Sequence, residues 1–178
     1  MASFVTTIAF AQDSEEPKAE TELKYADAGV IEAGGSLGLM AADGYFQMVA
    51  NPQVGYFFMD NFQISAIMGI NWVNLETADA TVFFTALAEP SFHYPISDSE
   101  KFFGFGGIGF GLASFEGTGS AFALSPRVGV NYTIGNAGVI TPSLYFTTTT
   151  GEAVSTPIGD AIQVDFVYGL TIGFTVYL

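Results

Sequence analysis

With 178 residues the chain is long enough for one domain, and its formal charge of −14, from four Lys and Arg against 18 Asp and Glu, excludes nucleic acid as a partner and polybasic attachment to anionic lipid. Zero cysteines exclude a disulfide framework and thiolate chemistry. Hydrophobic residues make up 49% of the chain and mean hydropathy is +0.40, yet no run approaches the ~20 apolar residues of a membrane helix, so the apolar character is dispersed among strands.

The chain opens MASFVTTIAFAQDSEE, where Ala9-Phe10-Ala11 forms an A-x-A cleavage signature behind a short apolar run that lacks a charged start. Residues 1–11 read as the end of an export signal, or else as a flexible apolar N-terminus that happens to contain alanines. Residues 12–28 are acidic and free of alternation, a solvated tail with at most a marginal helix over 19–26. A single domain follows over residues 29–178.

Period-two alternation then repeats to the end. Strand one, Gly29–Met40, sets Glu32, Gly34, Ser36 and Gly38 against Ile31, Ala33, Leu37 and Leu39, and a turn over 41–44 ends it. Strand two, Tyr45–Phe58, sets Gln47, Asn51 and Gln53 against Phe46, Met48, Val54, Tyr56 and Phe58. Strand three, Phe62–Glu76, sets Gln63, Ser65, Gly69 and Asn71 against Phe62, Ile64, Met68, Ile70 and Trp72. Strand four, Ala80–Ile96, sets Thr81, Thr85, Glu89, Ser91 and His93 against Val82, Phe84, Phe92 and Tyr94.

Strand five, Phe102–Phe115, breaks the pattern, because Phe103 and Phe105 share parity with Gly107, Gly109 and Gly111. Either two phenylalanines fill the interior or a bulge shifts the register. Strand six, Ser120–Ile134, sets Ser125, Arg127, Gly129 and Asn131 against Phe122, Leu124, Val128, Val130 and Tyr132. A glycine-bracketed turn over 135–138 leads to strand seven, Val139–Thr148, and the longest loop, Thr149–Ala161, leads to strand eight, Ile162–Leu178.

Strand eight shows what the alternation means. Its even positions, Ile162 through Leu178, are large and apolar, while Gln163, Asp165, Gly169, Thr171, Gly173 and Thr175 are polar or tiny. The small polar face cannot build a core, so the apolar face meets lipid: an all-β, eight-stranded, antiparallel up-and-down transmembrane β-barrel. A soluble barrel would need its large residues inside and charges outside. The aromatics agree with a membrane: Tyr56, Phe58, Phe62, Phe92, Tyr94, Phe102, Tyr132 and Phe174 gather as a lipid-facing girdle at one end, and Trp72 faces out at the opposite rim with Phe46, Phe84, Phe122, Phe146 and Phe166. An even strand number puts both termini on one side, expected to be periplasmic.

The phrases NPQVGYFFMDNFQISAIMGINW, FHYPISDSEKFFGFGGIGFG and PRVGVNYTIGNAGVITPSLYF, with the apolar last strand, resemble the small eight-stranded outer-membrane proteins: OmpX-like barrels, the OmpA transmembrane domain and OmpW-like proteins. The resemblance covers 29–178 and departs at the end, where Tyr177-Leu178 stands in place of a terminal aromatic. It implies an integral outer-membrane protein. Its role would be structural or interactive, with outer-membrane lipid around it and a protein partner meeting the periplasmic tail or the outward loops. The alternative it allows is a narrow OmpW-like channel for small or hydrophobic solutes.

Eight strands enclose a space that side chains nearly fill. Glu89, Ser91 and His93 offer an acid, a hydroxyl and a base on one face, but positions two apart on a strand lie about 7 Å apart, too far for a triad's direct bonds, so no enzyme is expected. His93 is the single histidine, which leaves no multi-histidine metal site, and no cofactor is expected. The expected lumen network is Arg127, Glu89, Asp165, His93 and Glu32, with Arg127 as hub because it is the one basic residue in the strands; Glu89 is its first candidate partner and Asp165 its second.

Overall fold

The computed structural model describes residues 24–42, 45–75, 78–99, 101–115, 119–150 and 167–178. Eight strands, β1 (Ile31–Ala42), β2 (Tyr45–Met59), β3 (Phe62–Leu75), β4 (Ala78–Pro95), β5 (Phe102–Phe115), β6 (Gly119–Ile134), β7 (Gly138–Thr150) and β8 (Val167–Tyr177), pair in chain order, all antiparallel. β8 returns to β1 from Glu32↔Tyr177 to Leu37↔Ile172, which closes the barrel.

Alternation decides the two surfaces. Leu37, Met68, Leu170 and Ile172 are 63–69% exposed on the outside, while their chain neighbours Ser36, Gly69, Thr171 and Gly173 are buried within. A one-residue slip anywhere would put these leucines into the lumen and the hydroxyls outside, so register is fixed by the sequence pattern itself. Among the described residues, the girdle and rim aromatics named above are exposed, except Trp72, which is half-buried against Phe46 with ring centroids 5.6 Å apart; Phe166 lies outside the described residues. Neighbouring strands pack their girdle rings together, Phe62 tilted against Phe92 at 4.8 Å and Phe102 stacked on Tyr132 at 4.7 Å.

Several boundaries differ from the sequence reading. Ala41 and Ala42, read as turn, are paired with Phe46 and Tyr45, and Thr149 and Thr150, read as loop, are paired with Ala123 and Phe122. In both places backbone pairing continues past the point where the side-chain pattern fades. Residues 162–166, including Asp165 and Phe166, and the rest of the long loop lie outside the described residues.

Strand five resolves in favour of filling. β5 pairs with β4 and β6 without a register shift, and Phe103 and Phe105 are buried inside. Glycine at position 129 on the neighbouring strand makes room: a Cβ there would lie 2.6 Å from the Phe105 ring and 2.5 Å from the Pro142 carbonyl oxygen.

The largest correction concerns the tail. Tyr25 and Ala26 within it, and Val30 just after it, are at most 4% exposed, while Lys24 and Ala28 stay exposed. Residues 24–26 form a turn rather than a helix, with Ala26 at φ 69°. Residues 24–30 fold over the end where β1 begins and β8 ends and drop Tyr25 into the barrel mouth.

Candidate functional site

The lumen is built in three tiers. The first, at the termini end, is aromatic. Phe57 projects inward from β2, His93 from β4, Phe103 from β5 and Tyr177 from β8, and the Tyr25 ring meets them edge-on at centroid distances of 5.0–5.9 Å. The Tyr25 hydroxyl accepts from Asn131 Nδ2 at 2.8 Å and donates to His93 Nδ1 at 3.1 Å. Burial raises this phenol well above its usual pKa, and the Glu32 carboxylate adds to the effect.

The neutral hydroxyl is therefore the folded form. Its contribution is complete below the unfolded pKa of about 10 and is lost as pH climbs through the raised folded value. We expect a late tyrosine ionisation in an absorbance titration of the folded protein, and Tyr25→Phe to delete that late step. A late step that survives Tyr25→Phe would contradict this.

Sequence reasoning passed over Tyr25, although it is the lone aromatic between Phe10 and Tyr45. It also misjudged Ser91 and His93. Ser91 Oγ and His93 Nε2 are 3.0 Å apart, so residues two apart on a strand do meet here, because the long imidazole leans along the strand. The pair still does not activate a nucleophile. His93 Nδ1 faces the amide Nδ2 of Asn131, which can only donate, so Nδ1 accepts hydrogen bonds from it and from the Tyr25 hydroxyl, which leaves the imidazole hydrogen on Nε2, donated to Ser91. Ser91 and His93 are buried, and Glu89, the acid of the supposed triad, is turned to a different partner.

The second tier is ionic. Arg127 Nη2 and Nε donate to the two Glu89 carboxylate oxygens at 2.6 and 3.2 Å, Nη1 donates to Gln53 Oε1 at 3.2 Å, and the guanidinium carbon lies 5.1 Å from the centre of the Phe105 ring. This fork spans from β6 to β4 across β5, over Gly107. A Cβ at 107 would sit 2.9 Å from Glu89 Cδ, so glycine is what lets the pair cross. Gly107→Ala should cost about 1–3 kcal/mol by overpacking, read as a lower denaturant midpoint in detergent micelles. No loss of stability would mean that the pair passes the strand differently.

Glu32, on β1, is separate from this fork. Its carboxylate accepts from Gln63 Nε2 at 2.6 Å and from the Thr175 hydroxyl, and Gln63 in turn accepts from Ser65 at 2.9 Å. Of the expected network, then, the structure brings Arg127 to Glu89, places His93 in the aromatic tier and Glu32 in its own amide and hydroxyl cage, and leaves Asp165 outside the described residues.

The third tier, toward the far end, mixes apolar with polar side chains. Val49, Ile67, Phe83, Leu87 and Ala113, interleaved with Asn51, Asn71 and Thr85, line one arc of a cavity of about 60 Å³, Ser125, Tyr145, Thr147 and Thr171 line the other, and Arg127 and Glu89 border it. Parity carried this signal, because Val49, Ile67, Phe83 and Leu87 share the inward face with the polar residues of β2, β3 and β4.

Among solved structures, the chain is similar to the N-terminal β-barrel domain of Pseudomonas aeruginosa OprF, with TM-score 0.54 and 11% identity over 85% of this chain and 98% of that one. It is similar also to the outer membrane protein OprG of the same organism, with TM-score 0.54 and 12% identity over 85% and 97%. Ail, the attachment invasion locus protein of Yersinia pestis, aligns at TM-score 0.46 and 18% identity over 85% and 99%. No family model and no curated protein matches the sequence. At these identities the likeness shows the fold alone.

Proposed function

From a fold shared with small eight-stranded outer-membrane barrels, we propose that this chain is an integral protein of a bacterial outer membrane whose role is structural or interactive, with a lumen that does not conduct. The observation that carries the reading is the pairing of an apolar exterior with an interior crossed by the Arg127–Glu89 fork. Strands of 11–18 residues meet or exceed the ~9–11 that a tilted strand needs to cross the hydrocarbon, so the ends of the longer strands and the turns stand in the interfaces. In this orientation the termini and the Tyr25 hook face the periplasm, and a protein partner would meet that end or the opposite loops.

Fractionation of envelopes tests the placement. The protein should remain in the outer-membrane fraction, and Trp72, the single tryptophan, should be quenched by lipids brominated along their acyl chains. Recovery as a water-soluble folded protein would overturn the reading.

The apolar side chains of the third tier favour a second reading, a passage for small hydrophobic solutes. It requires such a solute to enter proteoliposomes faster than it enters protein-free vesicles. Equal rates would dismiss it.

A further inference from the structure

We propose that Lys24–Val30 is a reversible stopper, a hook of the chain that seats Tyr25 in the barrel mouth and withdraws as a unit, turning the space beneath into a water-filled vestibule. This rests on the closed lumen proposed above and adds that one of its two closures is detachable.

The hook is fastened at the rim. Asn61 N–H donates to the Ala26 carbonyl at 2.8 Å, Ala28 N–H to the Asp60 carboxylate at 2.9 Å, and Gly29 N–H to the Phe57 carbonyl at 2.7 Å, while Phe57 N–H donates to the Val30 carbonyl at 2.9 Å. All of these bonds reach the β2–β3 turn or its flank, so one side of the mouth holds the backbone and Tyr25 reaches across to β4, β5, β6 and β8. Such a one-sided attachment is a hinge.

Two of the hook's residues have positive φ, Ala26 at 69° and Gly29 at 97°. For alanine this conformation is sparsely populated and persists only while its surroundings enforce it, so the docked backbone is under strain that withdrawal relieves. Lys24, Ala28 and Gly29 are exposed, which leaves the hook free to swing outward.

The seat is built to survive vacancy. With the phenol gone, His93 Nδ1 still accepts from Asn131 Nδ2 at 3.0 Å, Asn131 Oδ1 still accepts from Thr141 at 2.7 Å, and His93 Nε2 still meets Ser91. No polar side chain of the seat is orphaned by withdrawal, and the Phe57 and Asn61 backbone groups released at the rim must turn to the water that enters. What docking gains is the aromatic contact together with the rim bonds and the two hydrogen bonds of the phenol, and on withdrawal water takes the place of the phenol.

The chain has no cysteine, so a single Val139→Cys, buried beside Tyr25 in the first tier, reports stopper opening through its reaction with a small charged methanethiosulfonate reagent. In the full-length protein reconstituted in vesicles, its labelling should be slow but faster than global unfolding. Asp60→Ala, which cuts one rim bond and leaves every lumen residue intact, should accelerate it about three- to ten-fold, and Tyr25→Ala should accelerate it more. A Thr147→Cys reporter on the far side of the Arg127 fork should keep its rate in both backgrounds. Labelling at 139 that tracks global unfolding and ignores Asp60→Ala and Tyr25→Ala would overturn the stopper. An accelerated Thr147→Cys would instead mean that the fork does not close the lumen, which is the failure of the earlier reading.

Discussion

Replacing Arg127 with alanine is expected to destabilise the barrel by ~3–5 kcal/mol, because it strands the Glu89 carboxylate in a site where its side chain is 2% exposed. The loss also removes the donor to Gln53 and the cation over Phe105, and no second cation among the described residues replaces it. A compact pair of this kind is weak evidence for stability as a pair, since its Coulomb gain is offset by two desolvation penalties. Exchanging Arg127→Met and Glu89→Gln together should therefore recover much of the loss. The measurement is a double-mutant cycle from denaturant midpoints in micelles, and additive single effects would show that the fork is not coupled.

The second large effect lies on the outer surface. Arginine in place of Met68 or Leu170, both outward at mid-strand, should cost ~2–4 kcal/mol near a bilayer midplane, from the transfer of a charge into hydrocarbon. Gly69→Arg on the adjacent inward position fails by another mechanism, since even a Cβ there would lie 2.1 Å from Thr85 Oγ1. Stability of Met68→Arg should vary with bilayer thickness and that of Gly69→Arg should not. Equal sensitivity of the two would reverse the facing of β3.

The strands were legible because one physical rule, alternation between a lipid-like and a cramped polar environment, acts on every residue of every strand. That rule also placed Arg127 and Glu89 on the same inward side from the sequence alone. It could not reveal their bidentate geometry, which depends on Gly107, a residue two strands' register must bring between them. The rule was blind to the hook for a different reason: Lys24–Val30 has no periodicity, and its acidic surroundings describe a solvated segment in every respect except Tyr25. The Ser91–His93 contact was missed by treating strand spacing as side-chain spacing, although an imidazole spans most of the gap. The apolar part of the third tier was missed because attention to polar inward residues left Val49, Ile67, Phe83 and Leu87 unweighed at the same parity.

In the proposed reading, the lumen holds two closures in series with different physics. The fork is electrostatic and held by three strands, while the Tyr25 seal is aromatic and held from one side of the mouth. Breaking one should leave the other as the barrier to ions. Planar-bilayer recording of the reconstituted protein tests this most directly, with the parent, Tyr25→Ala, Arg127→Met with Glu89→Gln, and all three changes together. The account expects no conductance from the parent or from either partial variant, and small steps only where both closures are removed; steady ion conductance through the unaltered protein would contradict it.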